Sequence, residues 1–112
     1  MPDKIGKVLE HMLDVAAFRN RVLTSNIANA DTPGYKAKDI SFQKEMEKAA
    51  GTEGNKSFDI YESAATVTNR DGNTVNVDIE MAKVAENTLI YDTAVQLISM
   101  KQRMKKSILT AQ

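Results

Sequence analysis

The chain of 112 residues contains no cysteine, no tryptophan and one histidine. Without cysteine, disulfides, thiolate zinc sites and cysteine nucleophiles are excluded. His11 has no second imidazole to join it in a metal site or a catalytic triad. Its neighbours Glu10 and Asp14 suggest a solvated position on a helix flank. No run of about 18 apolar residues exists to span a bilayer. The opening Met-Pro-Asp-Lys-Ile-Gly-Lys lacks the apolar core of a cleavable secretory signal. Neither sign of charge is in excess, with 15 basic and 15 acidic residues, so overall charge gives no pull toward nucleic acid or anionic lipid. The five glycines are scattered and form no phosphate-cradling loop. Three Phe and three Tyr are few aromatics for an isolated globule. The carboxylates Glu80 and Glu86, or Asp59 and Glu62, show no spacing that favours acid–base catalysis over surface charge. No enzyme activity, cofactor or metal is expected.

What the chain does have is helical periodicity at both ends. Residues 4–31 keep a four–three spacing through Ile5, Leu9, Met12, Ala16, Leu23 and Ala30, with Arg19 and Asn26 interrupting the same seam. Polar residues at such positions fix register at some cost in stability. Pro33 cannot continue a helix and disfavours the α region at Thr32, so this helix should end near Asp31. Pro33 and Gly34 then suit the two central places of a type II turn, the second of which needs positive φ. A short helix is expected over Ser41–Ala50, with Phe42, Met46 and Ala49 on one face, then a linker from Gly51 to Ser57. Residues 58–78 read as extended, with Asp71-Gly72 at the tip of a small hairpin flanked by Ala65–Arg70 and Asn73–Val77.

A second long helix is expected over 79–110, with Asp78 as N-cap and Lys101, Arg103, Lys105 and Lys106 suiting its C-terminal dipole. This helix carries two apolar stripes on roughly opposite sides. One runs through Val77, Met81, Val84, Tyr91, Val95, Ile98 and Leu109, the other through Ala82, Leu89, Leu97, Met100, Met104 and Ile108. A helix apolar on two sides must be covered on both. Two solutions are open: neighbouring copies of the same helix pair, or a compact three-helix bundle closed by the short helix. The fold expected is mainly α, a single domain over 1–112. Its two long terminal helices pair as an antiparallel coiled coil, with residues 32–78 supplying a turn, a short helix, a linker and a small β-hairpin or extended segment between them.

Three stretches, in order, carry a more specific signal. They are Arg21 to Phe42, which includes Asn26-Ile-Ala-Asn-Ala-Asp-Thr-Pro-Gly-Tyr35; Asp71 to Met81; and Ala85 to Leu97. Together they resemble the bacterial flagellar rod and hook axial protein family. The Ile90-Tyr91 step and the short middle region are most similar to its proximal-rod members. The resemblance implies a structural subunit of the proximal rod, self-assembling through its terminal helices into the axial drive shaft. Such a subunit is exported by the flagellar type III apparatus without a cleaved signal, and its place is the basal body in the periplasmic space. The implied partners are copies of itself, other rod subunits, the basal adaptor subunit and the export apparatus, with no nucleic acid, small-molecule substrate or membrane insertion.

Under this reading Asn26, Asn29, Asp31, Thr32, Pro33, Gly34 and Tyr35 set the exit from the first helix. Leu9, Met12, Ala16 and Leu23 face Val84, Tyr91, Val95 and Ile98 across the intramolecular seam. Leu97, Met100, Met104 and Ile108 contact neighbouring subunits. The rival from another class is a small helical adaptor or regulator that binds a partner helix through an exposed apolar stripe. A helical nucleic-acid binder using Lys101–Lys106 ranks below both, since cations suit a helix C-terminus in any case.

Overall fold

A computed structural model describes residues 4–50, 57–64 and 68–111. The element order is α1 (Lys4–Ala28), β1 (Lys38–Ile40), α2 (Phe42–Ala50), β2 (Ile60–Glu62) and α3 (Val77–Thr110). The shape is elongated, 67 × 29 × 18 Å, because α3 is about 51 Å long and no described residue beyond it folds back. α1 is the central element, touching α3, α2 and β1. The α1–α3 pair is antiparallel, since Ala16 meets Asn87 while Asn26, further along α1, meets the earlier Glu80.

On α1 the buried positions follow the coiled-coil spacing: Leu9, Ala16, Arg19, Leu23 and Asn26. Val15, one position round the helix from Ala16, is fully buried as well, and Ile40 of β1 is nearly so. On the other side of α1, Phe18 packs on Phe58 with ring centroids 4.7 Å apart. α2 lies across this side. His11 is therefore half-buried rather than solvated, and its Nε2 stands 3.1 Å from the Glu45 carbonyl oxygen. A carbonyl only accepts, so Nε2 is the protonated nitrogen.

Local details differ from the sequence expectation in four places. α1 ends at Ala28, three residues before Asp31, where the bonding tightens: the Ala30 and Thr32 amides donate to the carbonyls of Ile27 and Asn29, three residues back, while Asn29 Nδ2 joins its own amide on the Ser25 carbonyl. α3 begins at Val77, and its cap is Asn76, whose side chain accepts from the Ile79 amide, not Asp78. The two-stranded antiparallel sheet pairs Lys38 with Glu62 and Ile40 with Ile60, on either side of α2. The expected Asp71-Gly72 turn is shifted by one residue: Gly72 N–H donates to the Asn69 carbonyl, so Arg70 and Asp71 take the central places, and the described residues around it form no strand. Asp71 keeps negative φ, so the turn is not type I′, and Gly72 alone takes positive φ at 81°. The linker expected over 51–57 and the first hairpin residues, 65–67, lie largely outside the described residues.

Candidate functional site

The motif at the end of α1 builds a joint between the two long helices. The Tyr35 amide donates to the Thr32 carbonyl across Pro33 and Gly34, and Gly34 has φ 75°, the type II arrangement. Asn26 is fully buried and satisfied on both ends of its amide. Its Nδ2 donates to the Lys38 carbonyl at 2.7 Å and to Glu80 Oε2 at 2.9 Å. Its Oδ1 accepts from the Lys38 amide at 3.0 Å and the Tyr35 hydroxyl at 3.2 Å. One side chain thus ties α1, β1 and α3 together. Tyr35 also carries Lys38 Nζ over its ring at 4.5 Å. Asn29 Oδ1 accepts from the Thr32 hydroxyl, while Asp31, Pro33 and Gly34 are exposed.

The second turn seats on the first. Asn73, fully buried, donates from Nδ2 to the carbonyls of Asn29 and Thr32 at 2.9 and 2.7 Å, and accepts from the Val75 amide at 2.7 Å. Gly34 N–H donates to Asp71 O, and Thr74 N–H to Tyr35 O. A Cβ at Gly72 would stand 3.6 Å from Gly34 Cα, so two glycines meet where the turns touch. Sequence reasoning included Asn73 in a motif stretch but saw no role for it. Its local signal, an Asn directly after Asp-Gly, is common to many turns.

The helix seam is more polar than its pattern suggests. Arg19, 7% exposed, makes a bidentate pair with Asp39 at 2.9 and 3.2 Å and reaches Glu86 at 3.1 Å. Lys83 completes the group, 3.7 Å from Asp39 and 3.9 Å from Glu80. Burial works against the Arg19 charge, but the hydrogen bonds and charges of Asp39 and Glu86 outweigh it and hold its pKa above the ordinary arginine value. Glu80, expected as surface charge, is buried because Asn26 and Lys83 satisfy it there. Asn87, also buried, donates to the Ala16 carbonyl at 2.7 Å.

The buried face of α3 is therefore Glu80, Asn87 and Ala94, at seven-residue steps. Of the residues expected in the seam, Leu9, Ala16 and Leu23 are buried, while Met12, Val84 and Ile98 are half-buried. Tyr91 and Val95 are each 41% exposed and flank the seam instead. They are displaced because polar residues with partners on α1 and β1 take the central line. Leu97, Met100, Met104 and Ile108 are exposed, Met104 and Ile108 by more than 60%. Both apolar stripes of α3 thus face outward on either side of a polar seam. Every described residue from 102 to 111 is exposed, since the antiparallel pairing brings Lys4 level with about residue 100 of α3. No cluster of metal-binding side chains occurs among the described residues, and no helix is long and apolar enough to cross a membrane.

Comparison with known proteins gives a consistent result. The model of a family described as "Flagella basal body rod protein" matches residues 16–36, the stretch that holds Arg19, Asn26 and the motif turn. Curated relatives with the name "Flagellar basal body rod protein FlgB" align along most of the chain. One from Bacillus subtilis (strain 168) is 33% identical over 91% of this chain and 90% of its own length. One from Aeromonas hydrophila is 36% identical over 88% and 87%. One from Escherichia coli (strain K12) is 32% identical over 88% and 90%.

Proposed function

This chain belongs to the flagellar basal body rod protein FlgB family, and we propose on that footing how it serves as a structural subunit of the flagellar basal-body rod. It assembles into the proximal rod through its terminal helices. The observation that carries this reading is α3, apolar on two flanks, bound to α1 by a polar line between them, and projecting about 15 Å past the start of α1. Soluble monomers rarely leave such strips in water, and repeated copies can cover both at once. The partners are copies of this chain, other rod subunits, the basal adaptor subunit and the export apparatus. The chain's place is the periplasmic part of the rod, reached by type III export without a cleaved signal.

The work is mechanical, and no catalytic step is assigned to any residue. The carboxylates that an acid–base reading would use have structural duties: Glu80 holds Asn26 and Glu86 holds Arg19. In this division of labour Leu9, Met12, Ala16 and Leu23 with Val84 and Ile98 hold the subunit together. Asn26, Asn29 and Tyr35 fix the angle at which the chain leaves α1. Leu97, Met100, Met104 and Ile108 meet neighbours.

The test is a double replacement, Leu97→Ser with Met104→Ser. Both side chains are exposed, so stability of the isolated chain should change by less than about 0.5 kcal/mol. Incorporation into basal bodies and swimming should be lost. Normal motility in that variant would sink the interface assignment.

A further inference from the structure

Between α1 and α3 runs an open groove of about 380 Å³, lined by Ala17, Asn20, Arg21, Asn87, Thr88 and Tyr91. At its floor lies a buried acceptor without a partner. Asn87 Nδ2 donates to the Ala16 carbonyl, which fixes the amide's orientation, because a carbonyl cannot donate. The other end, Oδ1, is buried and bonded to nothing among the described residues. Leaving a buried acceptor unmet is costly, so whatever fills the groove gains by bringing a donor.

Beyond the lining, three carboxylates extend the rim of the groove toward the start of α1, with Lys7 two turns before Asp14 on its face. Glu10 is two helical turns from Ala17 on the same face, Asp14 is two turns from Arg21, and Asp92 is one turn from Thr88. All three are exposed. Arg21 stands at the other end, about 10 Å along the helix from Asp14.

The projecting end of α3 has the complementary character. No acidic residue follows Asp92, while Lys101, Arg103, Lys105 and Lys106 are all basic. Lysine and arginine donate and do not accept. Met104 and Ile108 give the same segment an exposed apolar face. Two such ends repel one another, so they cannot cover each other. We infer that the α1–α3 groove of one copy receives the projecting α3 end of a second copy. Its cations lie against Glu10, Asp14 and Asp92, its Met104 and Ile108 lie over Ala17 and Tyr91, and a donor reaches Asn87 Oδ1. This placement rests on the rod-subunit reading and specifies the contact between copies.

The cysteine-free chain allows a direct test. Ala17→Cys and Met104→Cys in one chain cannot bridge internally. Residue 17 lies beside about residue 87, some 25 Å along α3 from residue 104. Basal bodies from cells making this double variant should yield, on oxidation, a ladder of cross-linked copies that neither single variant gives. The chain present in basal bodies with no ladder would overturn the groove contact and leave the rod reading standing. Absence of the unsubstituted chain from basal bodies would overturn the rod reading and this inference with it. If the cysteine variant does not incorporate, a charge exchange decides. Asp14→Lys and Lys105→Glu should each lower incorporation about tenfold and together restore it. Failure of the pair to restore it counts against the contact.

Discussion

Arg19 shows how single polar residues set the geometry of this molecule. A buried guanidinium is costly to desolvate and is held only where its hydrogen bonds are met. Here Asp39 takes two of them and Glu86 a third, so α1, β1 and α3 are locked at one mutual height. Asn26 does the same one turn-pair further along, through Lys38 and Glu80. A sliding or rotated pairing of the two long helices would strand these groups in the interior. Register is thus specified by penalty as much as by attraction. Replacement Arg19→Met should destabilise the chain by about 3 kcal/mol in urea unfolding, because the buried Asp39 carboxylate keeps only the Ile40 amide and a Lys83 ammonium 3.7 Å away. Adding Asp39→Leu should recover much of that loss, since a buried pair exchanged for apolar groups is often near neutral.

Among the elements, α2 braces the Phe18 and His11 side of α1, and the small sheet links that side to the seam, where Asp39 of β1 meets Arg19. Glu45 is buried in α2, where its carboxylate accepts from the Asp59 amide and pairs with Lys48 at 3.1 Å. Tyr61 of β2 lies opposite Asp39 in the sheet register. Burial, and then the Asp39 charge, push its phenol above the ordinary 10.0. The hydrogen bond that the Lys48 ammonium donates to Glu45 raises its pKa above 10.5. Both groups hold their protons more firmly folded than unfolded. Their contribution is complete below the ordinary values and is lost as pH rises through the raised ones. Melting temperature should therefore fall as pH climbs past about 10. The variant Tyr61→Phe with Lys48→Met should flatten that fall, as thermal melts from pH about 8 to about 12 would show. A decline unchanged in that variant would place the alkaline sensitivity elsewhere.

Taken whole, the molecule is a lever rather than a ball. α1 covers one line of α3, and the remaining flanks and the projecting end stay open. An isolated helix end of about three turns is marginal in water. Amide hydrogen exchange over residues 102–110 should therefore be fast in dilute solution and slow as copies associate, while the region around Asn26 and Asn73 stays protected at both concentrations. Uniform protection along all of α3 in a strict monomer would mean that its end is covered within the chain. The adaptor reading would then gain.

Sequence alone determined the long helices, the short helix between them, the stop at Pro33-Gly34 and the presence of two apolar stripes on α3. Each of these rests on local periodicity or on backbone conformations that particular residues permit. It also showed that Arg19 and Asn26 sit in the seam of α1, though not what they meet. The partners were set by the tertiary fold, because Asp39, Glu80 and Glu86 are 20 or more residues away and nothing in their spacing distinguishes them from surface carboxylates. The same holds for Asn87 and Ala94, which take the central line of α3 from Tyr91 and Val95. Apolar patterning ranks positions by transfer energy, so it assigns buried faces to valine and tyrosine. A seam of satisfied polar groups reverses that ranking, and only the three-dimensional arrangement supplies the partners that make the reversal stable.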